Sequence, residues 1–319
     1  MHISAIPGII MEAFRKFNED KVTRLAAALA YYTIFSIAPL LIIVIAIAGA
    51  VFGEEAARGQ IVAQIRDVVG DSGAELIQEM IQNANQPGTG VVATIVGIIT
   101  LLIGATGVFG QLQDSLNTIW GVMPKPGLGI MHTIKTRVLS FALVFGIGFV
   151  LLVALVIDAA LAGALNYLTD QLPLGGVMLQ VFNQLISLVV LSILFAILFK
   201  YLPDVKIAWR DVIVGAVVTA LLFIIGKFLI GLYLGNSSPA SVYGAAGSLV
   251  VLLIWIYYSS VILFFGAEIT QVYAMRFGAH IEPADDAVPL TPEVRARQGI
   301  PLKADVEAAT DYQTARTNR

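Results

Sequence analysis

The chain contains no cysteine, which excludes disulfide staples, thiol catalysis and cysteine-ligated zinc or iron–sulfur centres. Histidine is nearly absent too, with only His2, His132 and His280 spread across the 319 residues. A hydrolytic metal centre needs clustered His, Asp and Glu to hold ions that activate water, and the sequence offers no such cluster. Charge is also scarce, at 13% of residues with a formal net charge of -3. No basic run interleaved with aromatics is present, so nucleic acid is not an expected partner. No cofactor is expected, and nothing points to an enzyme. The string Gly70-Asp71-Ser72-Gly73 resembles the surroundings of a serine nucleophile, but no histidine is expected on its side of the membrane to act as a base.

Apolar residues take up that missing share, at 58% of the chain with a mean hydropathy of +0.85. They fall in long runs, and about 20 such residues cross about 30 Å of hydrocarbon. Six spans are expected, at residues 25–53, 91–109, 138–165, 177–199, 212–234 and 243–271. The first is too long for a signal-peptide core and has no small-residue cleavage site, so it reads as an uncleaved anchor. The expected fold class is an all-α membrane protein with six transmembrane helices.

Basic residues set the orientation. Arg15, Lys16, Lys21 and Arg24 precede the first span; Lys125, Lys135 and Arg137 lie between the second and third; Lys200, Lys206 and Arg210 lie between the fourth and fifth; Arg276 follows the sixth. All share one face, whereas the opposite loops hold only Arg58 and Arg66 among several acids. Both termini are therefore expected in the cytoplasm.

Outside the spans, residues 1–24 contain an apolar face of Ile9, Ile10, Ala13, Phe14 and Phe17, which suits a cytoplasmic interfacial helix. The external segment 54–90 repeats apolar residues at helical spacing: Ile61, Ile65, Val68 and Val69, then Leu76, Ile77, Met80 and Ile81. Two short amphipathic external helices are expected, broken at Gly70, with Ser72 and Glu75 as a capping box. A lid packed on the membrane face is favoured over a gate. Residues 276–319, rich in Pro, Ala and charge, read as a disordered cytoplasmic tail.

Charge inside the spans is the best functional lead. Counting about 1.5 Å per residue, Lys227 lies about 25 Å along its helix from Arg210, and Asp158 about 31 Å along its own from Arg137. Both fall in the outer half, where Asp158 is placed to neutralise Lys227. Two readings stand: residues that merely end their helices, or the polar wall of a cavity in which Lys227 holds a phosphate or carboxylate headgroup. Tyr31, Tyr32 and Ser36 add a polar, aromatic group just before Pro39, whose ring opens a kink; helix packing accounts for them as well as a cavity does. Near the cytoplasmic face, Glu268 is expected to pair with Arg24, Lys21 or Arg137, and Asp114 reaches the same level.

Four stretches carry a resemblance: AALAYYTIFSIAPLL in the first span, TLLIGATGVFGQLQDSLNTIWGV from Thr100, YLPDVKIAWRDVIVGAVVTALLFIIGKFLIGLY from Tyr201, and VYGAAGSLVVLLIWIYYSSVILFFGAEI from Val242. Together they resemble the YihY/virulence factor BrkB family, over roughly residues 10–275. The resemblance implies a six-span protein of the bacterial inner (cytoplasmic) membrane. Members have carried the label of a tRNA-processing ribonuclease, the name of a serum-resistance factor and suggestions of envelope lipid export. The missing metal cluster speaks against the nuclease label. The expected function is transport or flipping of an anionic envelope amphiphile, with membrane lipids as partners; the alternative is a non-catalytic scaffold. Oligomeric state is not legible.

Overall fold

The computed structural model describes residues 6–84, 107–127, 175–236, 246–278, 281–302 and 304–307, and these are mostly helical. In chain order they form α1 (Ile6–Glu19), α2 (Val22–Phe52), α3 (Glu54–Ala84), α4 (described over 107–120), β1 (Val122–Pro124), α5 (Gly175–Tyr201) and β2 (Val205–Lys206). There follow α6 (Trp209–Asn236), α7 (Gly247–Phe277), β3 (Glu282–Pro283), β4 (Ala287–Pro289) and α8 (Pro292–Arg297).

Three of the described helices contain stretches long and apolar enough to cross a membrane: Gln184–Tyr201, Trp209–Tyr233 and Gly247–Phe277. A fourth is α2, which bends by 47° between Val22–Ala38 and Leu40–Ala46. The bend falls at Pro39, which lacks the amide that would continue the ladder. Six residues earlier the Thr33 hydroxyl donates to the Leu29 carbonyl at 2.7 Å, a back-bond that also favours bending. These four helices take up the expected spans 25–53, 177–199, 212–234 and 243–271. Of the other two, 138–165 and all but the last residues of 91–109 lie outside the described residues.

The contact between α6 and α7 is set by glycine. A Cβ on Gly215 would lie 1.8 Å from Thr270 Oγ1, and one on Gly266 would lie 2.0 Å from Thr219 Oγ1. Each threonine also returns its hydroxyl to its own helix, Thr219 to the Gly215 carbonyl and Thr270 to the Gly266 carbonyl, both at 2.7 Å. Two Gly-x-x-x-Thr turns on antiparallel helices thus interlock reciprocally. Small residues matter here because lipid supplies no hydrophobic drive between helices, so close packing must hold them together. Gly226 repeats the device further along α6, where an added Cβ would lie 2.3 Å from Ile262.

Around this pair, Val22, Leu116, Phe199, Val212 and Phe264 are fully buried in the larger apolar cluster. Ile34, Ile77, Ile81, Leu252 and Trp255 form a second. The helix α1 lays Ile9 and Ala13 against Ile269, Val272 and Tyr273 of α7, leaving Met11 and Phe14 exposed.

Two expectations need correction. Residues 54–84 are one continuous helix through Gly70, with no break and no cap at Ser72. A glycine inside a helix costs only about 1 kcal/mol, and packing of Ile61, Leu76, Ile77 and Ile81 outweighs it. This helix contacts α2 and α7 along the bundle.

The expected disordered tail is also largely folded: β3 pairs antiparallel with β2 and β4 with β1, and Ala287, Leu290, Arg295 and Ile300 are buried. Strand pairing and side-chain burial against distant loops supply what the segment's own composition does not. The two ladders are also a small departure from an all-α class.

Replacing Gly215 by alanine is expected to lower stability in detergent by about 1–3 kcal/mol through overpacking against Thr270. Gly231, where an added Cβ would meet no atom within 4 Å, is the matched control: Gly231→Ala should leave the melting temperature level or raise it.

Candidate functional site

Polar side chains concentrate where the start of α2, the end of α4, the β2 loop and the C-terminal segment meet. Lys21 adopts a left-handed conformation (φ 51°) that turns α1 into α2, and this turn buries Asp20 to 5% exposure. Arg295 of α8 reaches across and donates to the Asp20 carboxylate. Burial raises the Asp20 carboxyl above the usual range, while the hydrogen bond and charge of Arg295 pull it back. Glu268 of α7 lies fully buried beside this pair, its carboxyl against that of Asp20. Lys16 completes the group and donates to Gln271 Oε1 at 2.7 Å.

A second polar knot holds α4 to the β2 loop. Asp204 accepts from Gln113 at 3.1 Å and from Asn117 at 2.8 Å, while its own amide donates to Asn117 Oδ1 at 2.8 Å. Nearby, Lys206 pairs with Asp285 at 2.6 Å; that hydrogen bond raises the lysine and lowers the carboxyl. Both groups are exposed, so this pair adds little to stability.

Beside these knots lies a cleft of about 400 Å³, lined in part by Arg24, Gln111, Asp114, Thr118, Gln298 and Ile300. Arg24 donates to the Gln298 carbonyl at 3.1 Å. Burial, then the charge of Asp204, raises the Asp114 carboxyl.

The sequence candidates fall into separate places. Arg24 and Asp114 come together in the cleft. Glu268 does not pair with Arg24; its neighbours are Asp20, Lys16 and Arg295, because α8 brings in an arginine from far along the chain. Ser36 is buried and Tyr32 stands beside Gly107 of α4, whose added Cβ would lie 3.4 Å from the ring; Tyr31 is 61% exposed, its ring 5.0 Å from that of Phe35. Lys227 is exposed on α6. Asp158 and Arg137 lie outside the described residues. Sequence reasoning missed Asp20 and Asp204, which sit in short turns, Asn117, a single polar residue on α4, and Arg295, in a charge-rich segment without periodicity; their meaning comes only from what they touch.

A family model described as Virulence factor BrkB matches residues 13–291. The chain belongs to this family. Among curated relatives, a UPF0761 membrane protein of Pseudoalteromonas translucida is 29% identical over 83% of this chain and 85% of that protein. UPF0761 membrane proteins of Mannheimia succiniciproducens and Vibrio vulnificus are 29% and 27% identical, over 81% and 87% of this chain and 86% and 85% of their own lengths. No solved structure matches. The chain is thus a BrkB-family membrane protein, and the match takes in Asp20, Asp114, Asp204 and Glu268 but stops short of Arg295.

Removing one partner of a buried ion pair strands the other. Arg295→Met is therefore expected to cost about 3–5 kcal/mol and to expose the C-terminal segment to trypsin at Arg297, read by melting temperature and limited proteolysis. Lys206→Ala, which removes only an exposed pair, should change neither readout.

Proposed function

We propose that this protein is a six-span protein of the bacterial inner membrane, with both termini cytoplasmic, that binds and moves an anionic envelope amphiphile without chemically converting it. The observation that carries this reading is the outer face of α6. Opposite its glycine face, Trp209, Ile213, Val217, Leu221, Ile225, Phe228, Leu229 and Leu232 are all exposed, forming an unbroken apolar stripe. Lys227 stands at its edge, five helical turns or about 27 Å beyond Trp209. At the other end Arg210 is exposed and Lys200 sits 5.7 Å over the Trp209 ring.

Between α5 and α6 an apolar groove of about 580 Å³ follows the stripe, lined by residues including Leu188, Ile193, Trp209, Ile213 and Val217. A hydrocarbon-facing track with a cation near each end matches a molecule that has acyl chains and an anionic headgroup. A bare lysine at the bilayer centre costs about 2.5–3.5 kcal/mol, which a phosphate or carboxylate partner offsets. The scaffold alternative would bind a partner through the C-terminal tail or the external helices; of the first route, residues 281–302 are engaged within the chain.

Two measurements test this. Mass spectrometry of lipids that co-purify in mild detergent should find an anionic amphiphile enriched over the bulk membrane in wild type and in Lys227→Arg, and lost in Lys227→Ala; bulk composition in all three would sink the reading. For topology, the absence of native cysteine permits single-cysteine labelling: Ala56→Cys should react in intact cells and Ser4→Cys only after permeabilisation.

A further inference from the structure

We propose that the cleft between α2, α4 and the C-terminal segment is a binding site for a phosphate ester that also carries an amine, with the phosphate on Arg24 and the ammonium on Asp114. This site is separate from the α6 face and does not depend on the function assigned to it.

The wall chemistry is two-sided. Arg24 uses one nitrogen on the Gln298 carbonyl, which fixes the guanidinium and leaves further donors for an anion; its planar fork suits phosphate oxygens. Asp114 makes no ion pair and no side-chain hydrogen bond among the described residues, and Arg24 does not reach it. A carboxylate and a guanidinium thus share one cleft, each without an ion pair among the described residues.

The surroundings of Asp114 favour a cation. Asp204 lies behind it, committed through both its oxygens to Gln113 and Asn117, so it adds negative charge without supplying a donor. Burial and that charge raise the Asp114 carboxyl, strain that an incoming ammonium relieves. Leu25, Val122, Met123, Leu290 and Ile300 supply apolar walls. A volume of about 400 Å³ falls in the usual range of ligand pockets, about 300–1,000 Å³. The C-terminal segment contributes Leu290, Gln298 and Ile300, so the site exists only with that segment docked.

A phosphate ester with an amine occurs both as a phospholipid headgroup and as a free metabolite, and the probes separate the two. The full chain in a non-ionic detergent is titrated calorimetrically with O-phosphoethanolamine, with dihexanoyl phosphatidylethanolamine and with inorganic phosphate. Saturable binding of an amine-bearing probe is expected, weakened about tenfold in Asp114→Asn, with inorganic phosphate weaker than either and insensitive to that substitution. Tighter binding of the lipid assigns the site to a headgroup, and equal or tighter binding of the free ester assigns it to a soluble ligand. Asp114→Asn is isosteric and breaks no side-chain hydrogen bond among the described residues, so an unchanged melting temperature confirms the fold; Arg24→Lys, which keeps the charge but loses the fork, should weaken all three probes. No saturable binding by wild type, or amine-bearing probes that bind Asp114→Asn as well as wild type, overturns the proposal.

Discussion

The reciprocal lock of Gly215 on Thr270 and Gly266 on Thr219 is the constraint from which the rest of the described structure follows. Helices in lipid gain nothing from hiding apolar side chains from one another, so their separation is set by how closely their backbones approach. With both glycines lacking a Cβ and both threonine hydroxyls turned back to their own carbonyls, α6 and α7 approach closely at these two turns with neither hydroxyl left unsatisfied. The lock also decides what its neighbours experience. Glu268 lies two residues from each of Gly266 and Thr270 and is carried into full burial. Asp211, one turn before Gly215, is pressed so closely on the end of α7 that a Cβ at Gly278 would sit 2.2 Å from its Oδ2.

The polar knots solve a different problem, that of holding ends together. Loops at one end of the bundle would leave strand edges and backbone carbonyls open; the C-terminal segment closes them with two short ladders and inserts Arg295 onto Asp20. A buried pair of this kind is weak evidence for net stability but strong evidence for register, because only one placement of α8 satisfies both charges. The same docking completes the cleft that contains Arg24 and Asp114.

The two faces of α6 divide the labour. Its small residues Gly215 and Thr219 face α7, and a stripe of large apolar residues from Trp209 to Leu232 is left exposed along its length, with Lys227 beside it. An exposed lysine in that setting lays its apolar stem along the helix and carries its ammonium toward water.

Hydropathy alone determined that this is a membrane protein and where its described spans run, because crossing hydrocarbon demands unbroken apolar length whatever the neighbours do. It also marked Lys227 and Asp158 as charges inside the spans and set Glu268, Asp114 and Arg24 at a common level near one face. Tertiary structure decided everything that depends on a partner. Gly107 meets Tyr32 and Gly215 and Gly266 seat threonines of the facing helix, whereas Gly110 has no atom within 4 Å of an added Cβ; a glycine's role lies in the opposing helix, which local sequence does not name. The break assigned to Gly70 failed for the same reason, since packing from α2 and α7 overrode a local preference. Arg295, in a segment whose composition suggests disorder, is buried because Asp20 waits 275 residues away, a pairing that only the folded chain brings about.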